Sequence, residues 1–300
     1  MINCNVCGCT NFSRLIYFKP DDIYVLKCKK CGLVFLNPIK LEKLINDDYE
    51  DLDQQNSFCY FMETRKTQYL KDLSIIRKYV PSGKLIDVGS SFGIFLNFAH
   101  NYFNVTGIEP SMITCKFSEM KFPKINVINT VFEKHDFKDD KYDVLTLWSV
   151  LEHTVNPSKV IIKTKEILNY NGLLCIRVPN FKGLIPKIII LIHRLSFGKI
   201  DSFSRSLYQM DFVYKHFYHF NIYNLTKLLN IHGFDVIYYY KENSLNEKYL
   251  KNRAEISAKK GDTTFLKNPL ILLCVRAILK IVNFLGVQDE IVIFAKKLKV

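Results

Sequence analysis

The sequence predicts an α/β protein, a doubly wound parallel sheet with helices on both faces, preceded by a small N-terminal module. Two patterns predict it. Four cysteines form two C-x-x-C pairs within residues 1–38, and from residue 83 onwards short apolar runs alternate with stretches of helical periodicity. The 300 residues, 48% of them hydrophobic, are enough for one large and one small globular domain.

The N-terminal module is defined by its cysteines. Cys4 and Cys7 form the first pair, Cys28 and Cys31 form the second, and 20 residues separate the two pairs. A glycine follows each pair, as a tight knuckle around a metal requires. The spacing predicts a zinc ribbon over residues 1–38 with a structural Zn²⁺, because four thiolates leave no ligand position open. The alternative, four free or disulfide-bonded cysteines, fits an intracellular protein less well.

Residues 39–82 are predicted to form a helical linker or lid. The clearest helix is FMETRKTQYLKDLSIIRKYV, in which Tyr69, Leu73, Ile76 and Val80 recur at helical spacing. The Pro-Ser-Gly that follows predicts the end of this helix.

The third predicted segment, residues 83–300, alternates strands and helices. The predicted strands are KLIDV, VTGIE, INVIN, YDVLTLWSV and GLLCIRVP, and a helix–strand pair, IYNLTKLLNIHGFDVIYYY, precedes the last strand, EIVIFAKK. Asn156 and Pro157 predict a helix start, as the N-cap and the first helical residue. Such alternation implies a parallel sheet with helices on both faces. A looser pattern predicts insertions at about 181–220 and 241–285.

The stretch LIDVGSSFGIFL, residues 85–96, predicts a ligand site at the end of the first strand of the sheet. Gly89 and Gly93 allow a tight turn and a close approach of a ligand to the backbone. Glu109, 20 residues after Gly89, ends the next strand, where a carboxylate can accept both hydroxyls of a ribose. Asp87 at the entrance of the turn would repel a pyrophosphate and attract an ammonium group. S-adenosylmethionine therefore suits this site better than a nicotinamide cofactor.

Four stretches resemble the successive motifs of class I S-adenosylmethionine-dependent methyltransferases: LIDVGSSFGIFL, GIEPS, YDVLTLWSVLEHTVNP and GLLCIRVPN. With CNVCG and CKKCGLVFLNP they resemble a bacterial subgroup that carries an N-terminal zinc ribbon, and KHFYHFN followed by LLNIHGF resembles its later segment. The resemblance implies a Rossmann-like seven-stranded sheet and methylation of sugars, polysaccharides or other small molecules. Ser91 departs from the glycine usual at this place of the first motif, and we expect cofactor binding to survive with a shifted turn.

The resemblance also implies cofactor-binding roles by position. Glu109 would bind the ribose, Phe132 would pass beside the adenine, and Trp148 would lie near the methionine end. For Phe132 the alternative is an ordinary loop contact, and for Trp148 it is packing in the core. The methionine end itself would be held by Asp87, Gly89, Ser90 and Gly93.

The candidate catalytic residues follow from the chemistry. Because the sulfonium is an excellent leaving group, the protein must align the nucleophile and, where needed, remove its proton. His153, after the fourth strand, is the candidate base, with positioning of the cofactor or a helix as the alternative. Glu152 would orient His153 or cap a helix. His216 and Tyr214 lie where the family builds its acceptor pocket, with packing beneath a loop as the alternative.

The net charge of +13 lies almost entirely in residues 181–300, which hold 19 basic and 9 acidic side chains. Because no dense basic cluster is present, a solvated surface is favoured over a face for phosphate groups, nucleic acid or anionic lipid. Two very apolar stretches here, GLIPKIIILIHRLSFGK and PLILLCVRAILKIVNFLG, predict helices packed on the domain or on a dimer partner. The alternative is an interfacial helix on anionic lipid.

The sequence therefore predicts a cytoplasmic S-adenosylmethionine-dependent methyltransferase for a small molecule, a sugar or glycan precursor, with O-methylation favoured. The N-terminus does not resemble a signal peptide and no apolar run has membrane-spanning length, so any contact with the inner membrane face would be peripheral. One alternative is an RNA methyltransferase that binds phosphates with its ribbon and basic tail, although the ribbon is nearly neutral. Another is a non-catalytic zinc-bearing scaffold, at which Ser91 hints. The acceptor atom and the oligomeric state stay open.

Overall fold

The computed structural model contains two sheets, a central one of seven strands and a smaller one of four. Tyr214 and nearly all of the predicted insertion at 241–285 lie outside the described residues. The residues that the structure describes are 2–39, 54–211, 215–243, 280, 282 and 284–299.

The strands of the seven-stranded sheet match the sequence prediction closely, whereas those of the four-stranded sheet were not predicted one by one. The N-terminal ones are β1 (Phe12–Phe18), β2 (Ile23–Cys28) and β3 (Val34–Asn37). The later ones are, in chain order, β4 (Gly83–Val88), β5 (Phe103–Glu109), β6 (Asn126–Asn129), β7 (Tyr142–Trp148), β8 (Leu168–Pro179), β9 (Tyr218–His219), β10 (Phe234–Glu242) and β11 (Glu290–Lys297).

The helix Pro157–Ile167, α4, begins where the sequence places capping residues. The Asn156 side chain accepts the N–H of Lys159 at 3.1 Å and Pro157 is the first helical residue of α4, as predicted. The helices are α1 (Gln54–Tyr79), α2 (Ile94–Ala99), α3 (Met112–Lys121), α4 (Pro157–Ile167), α5 (Leu184–Leu195), α6 (Ser202–Leu207) and α7 (Ile222–Ile231).

The central sheet has the strand order β10-β11-β8-β7-β4-β5-β6. Strands β6, β5, β4, β7 and β8 are parallel, whereas β11 is antiparallel to both of its neighbours. The prediction of a doubly wound seven-stranded sheet is confirmed, but the sheet is mixed and not wholly parallel. The sequence could not show this, because a strand buried on both faces is an apolar run in either direction.

Helices cover both faces of this sheet. Ile86 of β4 lies in one apolar cluster with residues of α4 and α7, and its neighbour Leu85 lies in a second cluster with residues of α1 and α2. Successive side chains of a strand point to opposite faces, so one strand serves both clusters. The carboxyl ends of β4, β5 and β7 therefore open at one edge of a core that is filled from both sides.

The small sheet joins distant parts of the chain. Strands β1, β2 and β3 form an antiparallel meander, and β9 pairs antiparallel with β3. The N–H of Leu36 also donates to the carbonyl of Phe217 at 2.9 Å. The N-terminal module is thus held to the segment just after His216 by backbone hydrogen bonds.

Helix α5 exposes apolar side chains. Pro186 is its one buried residue, while Leu191 is 55%, Leu195 71% and the following Phe197 93% exposed. Most of the second apolar stretch, residues 269–286, lies outside the described part of the chain. Among the residues described, no helix combines the length and the hydropathy needed to span a membrane.

Candidate active site

The glycine-rich turn follows β4 and contains three residues in the left-handed conformation, Gly89 (φ 71°), Ser91 (φ 48°) and Gly93 (φ 69°). The N–H of Gly89 donates to the carbonyl of Ile108 at 2.7 Å, which fixes the turn to β5. A Cβ atom on Gly89 would lie 2.6 Å from a methyl carbon of Val150. Both the conformation and the available space therefore require glycine at this position.

Ser91 occupies the place where the family usually has glycine. It takes the left-handed conformation at φ 48°, which costs a residue with a Cβ roughly 1–2 kcal/mol. Its N–H donates to Oε2 of Glu109 at 2.8 Å, and this charge-assisted bond offsets part of that cost. The turn thus keeps a glycine-like backbone without the glycine.

Glu109 ends β5 and is buried beside the turn. Its Oε2 accepts from Ser91, and its Oε1 accepts the N–H of Ser111 at 2.9 Å. Burial raises the pKa of Glu109, and the two N–H donors oppose this shift. Each carboxylate oxygen keeps a second lone pair, so the capacity to accept two ribose hydroxyls remains.

Asp87 is a second buried carboxylate at the same turn. Its Oδ1 accepts the hydroxyl of Thr146 at 2.6 Å, and burial, with a smaller contribution from Glu109, raises the pKa of Asp87 to about 8. Within the described ranges, no lysine, arginine or histidine forms an ion pair with Asp87 or Glu109. Two buried carboxylates without a cation suit a positively charged ligand.

Helix α1 covers one side of the turn. Phe58 lies 6.3 Å from Phe92 of the turn, and Tyr69 lies 6.4 Å from Trp148, measured between ring centroids. Trp148 ends β7, and its buried Nε1 has no hydrogen-bond partner among the described residues. The same holds for Oγ of Ser90. Such orphaned donors call for a ligand or a water molecule.

Phe132 lies in a 3-10 turn after β6 and is buried. Its ring packs 5.5 Å from that of Phe137, and Nζ of Lys163 lies 5.7 Å from its centroid. These contacts bury the ring within the protein, and contact with adenine stays a prediction.

His153 and His216, predicted from distant parts of the sequence, lie together with ring centroids 4.7 Å apart. Nδ1 of His153 lies 3.0 Å from the carbonyl oxygen of Lys215. Because a carbonyl only accepts, Nδ1 carries the proton and the lone pair of the neutral ring is on Nε2. Burial and the neighbouring imidazoles hold the pKa of His216 well below its usual range, so this ring is neutral. The third predicted residue, Tyr214, lies outside the described residues.

Glu152 precedes His153 and is fully buried, which raises its pKa to about 8. Neither carboxylate oxygen has a hydrogen-bond partner in the described part of the chain. Glu152 therefore makes no hydrogen bond to His153, and Asn156 caps the next helix in its place. One ligand atom each of Glu152, His153 and His216 lies within 4.8 Å of the other two.

The two groups of residues adjoin. Val150, whose methyl group lies over Gly89, accepts the N–H of His153 at its carbonyl at 2.9 Å. The turn that carries Glu152 and His153 therefore contacts the glycine-rich turn directly. This arrangement brings a proton acceptor next to the site predicted for the cofactor.

The sequence prediction missed Arg177. This residue of β8 is buried, and its guanidinium pairs with Asp72 of α1 at 2.6 Å, with Glu290 of β11 at 2.7 Å and with Glu242 of β10. Arg65 of α1 also pairs with Glu290, at 3.0 Å. The signal was a single arginine inside the apolar strand GLLCIRVP. The network fastens α1 to three strands beside Trp148.

The four cysteines of the N-terminal module converge. Their Sγ atoms all lie within 4.8 Å of one another, at 3.5 Å for Cys4 to Cys31 and for Cys7 to Cys28. In each knuckle, the glycine after the pair has a positive φ and donates its N–H to the first cysteine's carbonyl at 2.9 Å. Donor set and spacing fit a closed tetrahedral Zn²⁺ site. The cluster is established, and the metal stays a prediction.

A family model described as a methyltransferase domain matches residues 60–239, which is more than half of the chain. The chain belongs to this methyltransferase family. The match includes the glycine-rich turn, Glu109, and the histidine pair, and it identifies an enzyme. The alternative of a non-catalytic scaffold is therefore not supported.

Among curated proteins, the methyltransferase is 27% identical over 120 residues to an uncharacterized protein of Methanocaldococcus jannaschii. The match covers 40% of this chain and 56% of the relative, so the methyltransferase spans little more than half of the relative's length.

Solved structures share the fold of the methyltransferase. Phosphoethanolamine N-methyltransferase 2 of Haemonchus contortus, in complex with S-adenosyl-L-methionine, has a TM-score of 0.56 and 13% identity over 84% of this chain and 60% of that chain. The [4+2]-cyclase SpnF has a TM-score of 0.52 and 13% identity, and the match covers 77% of this chain and 81% of that chain. The predicted class I S-adenosylmethionine-dependent methyltransferase fold is confirmed. Since one of these proteins is a cyclase, the fold alone does not define a reaction.

Proposed function

We propose that the methyltransferase transfers a methyl group from S-adenosylmethionine to a hydroxyl oxygen of a small molecule, a sugar or glycan precursor. One observation carries the choice of cofactor: Asp87 and Glu109 are buried carboxylates at one turn, without a cationic partner among the described residues. S-adenosylmethionine brings an ammonium, a sulfonium and a ribose diol, which match these two groups.

The residues of the turn fit this cofactor. Asp87 faces the ammonium group, and the second lone pairs of Glu109 accept the ribose hydroxyls. Nε1 of Trp148 is a buried donor that lacks a partner in the described residues, and it lies where the methionine end is expected. Gly89, Ser90 and Gly93 bring the backbone close to the ligand, and Phe132 is placed beside the adenine.

The bound cofactor supplies an activated methyl group, and the chain supplies the rest of the chemistry. A sugar hydroxyl holds its proton at neutral pH, so it needs a nearby acceptor. The His153–His216 pair provides lone pairs next to the glycine-rich turn. The acceptor oxygen bonds to the methyl carbon while the carbon–sulfur bond breaks with its electron pair on sulfur, and the hydroxyl proton passes to an imidazole nitrogen of the His153–His216 pair.

The zinc ribbon, residues 1–38 in the predicted division of the chain, has a positioning role in this proposal. Strand β9 follows His216 by two residues and pairs with β3 of the ribbon. A Zn²⁺ ion on Cys4, Cys7, Cys28 and Cys31 would supply the folding free energy that so small a module lacks. In the same division, residues 39–82 form the lid and 83–300 the methyltransferase domain.

The partner surface is proposed to be an anionic membrane face that presents a lipid-linked acceptor. The apolar side chains of α5 and of the loop after it are exposed. Residues 181–200 contain no aspartate or glutamate but four basic residues. Exposed apolar groups flanked by basic ones complement anionic lipid. The basic residues are Lys182, Lys187, Arg194 and Lys199.

The experiment that tests the function combines binding and transfer. Calorimetry should show S-adenosylmethionine binding that Asp87→Asn abolishes and that the exposed control Asp139→Asn leaves intact. Incubation with methyl-labelled cofactor, nucleotide sugars and glycan precursors should place label on a sugar oxygen. Absence of cofactor binding to the unaltered chain would refute the proposal. Label found only in RNA would refute the small-molecule substrate and favour an RNA methyltransferase.

A further inference from the structure

A second cluster of ligand-type side chains lies at the acceptor end of the site. Glu152, His153 and His216 each offer one ligand atom, and these three atoms lie within 4.8 Å of one another. Glu152 is fully buried and neither of its carboxylate oxygens has a hydrogen-bond partner among the described residues. Burial of a carboxylate without a hydrogen-bond partner costs free energy unless the group holds a proton or a cation accompanies it.

One of the histidines, His153, is oriented as metal ligands are. Nδ1 of His153 donates to the carbonyl of Lys215 at 3.0 Å, which leaves the lone pair on Nε2. Metal-binding histidines almost always donate their other ring nitrogen to a carbonyl or a carboxylate in this way. His216 lies next to Lys215, so one short segment supplies both a ligand and the group that orients the other ligand.

Rigid elements support the cluster. Glu152 and His153 belong to the 3-10 turn Leu151–His153 directly after β7. His216 is held from the other side, because the carbonyl of Phe217 accepts the N–H of Leu36 at 2.9 Å. The ring of His216 is only partly buried, so the cluster has access from outside. Three protein ligands with access from solvent leave coordination positions open, in contrast to the four-thiolate cluster.

We propose that Glu152, His153 and His216 bind a divalent cation and that this cation binds the acceptor through two neighbouring hydroxyl groups. The proposal rests on the proposed function, but it replaces proton acceptance by the His153–His216 pair with metal binding, because a lone pair bound to a cation cannot also accept a proton. One carboxylate and two imidazoles suit Mn²⁺, Fe²⁺, Co²⁺ or Zn²⁺. The substrate class narrows to a vicinal diol, which occupies two open positions of such a cation.

The cation would assist the reaction by lowering the pKa of a bound hydroxyl. The hydroxyl proton passes to solvent, and the oxygen forms its bond to the methyl carbon. The carbon–sulfur bond breaks with its electron pair on sulfur, which leaves neutral S-adenosylhomocysteine. The cation is neither oxidised nor reduced.

The test is a Mn²⁺ titration of the full chain with zinc in its cysteine cluster. The electron paramagnetic resonance signal of free Mn²⁺ measures how much of the added ion is bound. Mn²⁺ prefers oxygen and imidazole ligands, so the thiolate cluster does not compete. We expect one bound Mn²⁺ per chain. Glu152→Gln and His216→Asn should each weaken this binding by about 10–100-fold. The matched controls Glu166→Gln and His232→Asn, which lie outside the site, should bind Mn²⁺ like the unaltered chain.

The outcomes separate this proposal from the proposed function. Saturable Mn²⁺ binding that persists unchanged in Glu152→Gln, or no saturable binding at all, overturns the cation site. Transfer that continues undiminished after removal of all metal except the cysteine-bound zinc also overturns it, while the function stands. Mn²⁺ binding that depends on Glu152 and His216, in a chain that does not bind S-adenosylmethionine, supports the cation site and refutes the function. Zinc content and cofactor affinity show whether each variant is folded.

Discussion

The N–H of Ser91 donates to the carboxylate of Glu109 at 2.8 Å, so the acidic group predicted to bind a ribose also stabilises the conformation of the glycine-rich turn. The other carboxylate oxygen accepts the N–H of Ser111, at the N-terminal end of α3. One side chain thus connects the glycine-rich turn, the end of β5 and the start of a helix. Changes at Glu109 will therefore affect stability as well as cofactor binding.

Glu109→Gln replaces one acceptor oxygen by an NH₂ group, which must face the N–H of Ser91 or that of Ser111. Because two donors then meet in a buried site, we expect a loss of about 1–3 kcal/mol in the free energy of unfolding. Chemical denaturation measures this loss, and calorimetry measures the accompanying loss of cofactor affinity. The exposed control Glu119→Gln on α3 should change neither, and an equally stable Glu109→Gln would contradict the structural role.

Asp87→Asn should make the ligand-free protein more stable at alkaline pH. The pKa of Asp87 is raised from 3.8 to about 8, so the folded state retains a proton that the unfolded state has lost. The free energy of unfolding of the unaltered chain therefore falls as the pH rises from about 4 to about 8. Asn does not ionise, so the variant should gain on the order of a few kcal/mol above pH 8, at about 1.4 kcal/mol per pKa unit. Denaturation at pH 5, 7 and 9 checks this, and parallel pH curves for the two proteins would refute it.

Cofactor binding should depend on pH in the opposite sense. A cationic ligand favours the ionised form of Asp87, so the affinity for S-adenosylmethionine should increase as the pH rises towards about 8. Calorimetry across this range in the unaltered chain measures the increase. A flat profile would show that Asp87 does not face the ammonium group.

Arg177→Met should destabilise the fold by about 3–5 kcal/mol, because it leaves the buried Asp72 and Glu290 and the partly buried Glu242 without their shared cation. The surface pair of Lys84 with Asp140, at 3.4 Å, offers the matched control. Lys84→Met should cost less than ~1 kcal/mol. Urea denaturation measures the loss of unfolding free energy in each variant. Similar losses in the two variants would contradict a stabilising role of the Arg177 network.

Replacement of Cys31 by serine should impair methyl transfer more than cofactor binding. The N-terminal module pairs through β3 with β9, which follows His216 in the chain. Asp87 and Glu109 lie in the other sheet. We expect loss of zinc, a large fall in the transfer rate and a nearly unchanged affinity for S-adenosylmethionine. Cys59→Ser, at an exposed cysteine outside the cluster, is the control.

Vesicle flotation tests the exposed face of α5. Phe197→Glu and Leu195→Glu should reduce flotation with vesicles that contain anionic lipid, and neutral vesicles should bind little of any variant. Met120→Glu, at an apolar residue of α3 that is 75% exposed, is the control. Absence of flotation by the unaltered chain, or flotation that the α5 variants retain, would refute the membrane contact.

The sequence predicted the local features of this protein well. Periodicity located the strands of the seven-stranded sheet, because each has a length and an apolar pattern of its own. Asn156 and Pro157 marked a helix start, and the cysteine spacing predicted the four-thiolate cluster. These features depend on residues close together in the chain, so a short stretch contains all the information needed.

Features that depend on long-range pairing escaped prediction. Strand β9 has two residues, too few for a periodic signal, and its pairing with β3 brings His216 to His153. Arg177 looked like an ordinary strand residue, because its three partners lie on α1, β10 and β11. The antiparallel direction of β11 likewise depends on which strands flank it and leaves no local mark.

The pairing of β9 with β3 of the N-terminal module has a practical consequence for engineering. Deleting the first 38 residues would leave an unpaired edge at β9 and remove the support of the segment that carries His216 in one step. A transplant of this ribbon to another enzyme would be equally incomplete without Tyr218 and His219. Any attempt to alter acceptor choice by exchanging modules should therefore move both stretches as one unit.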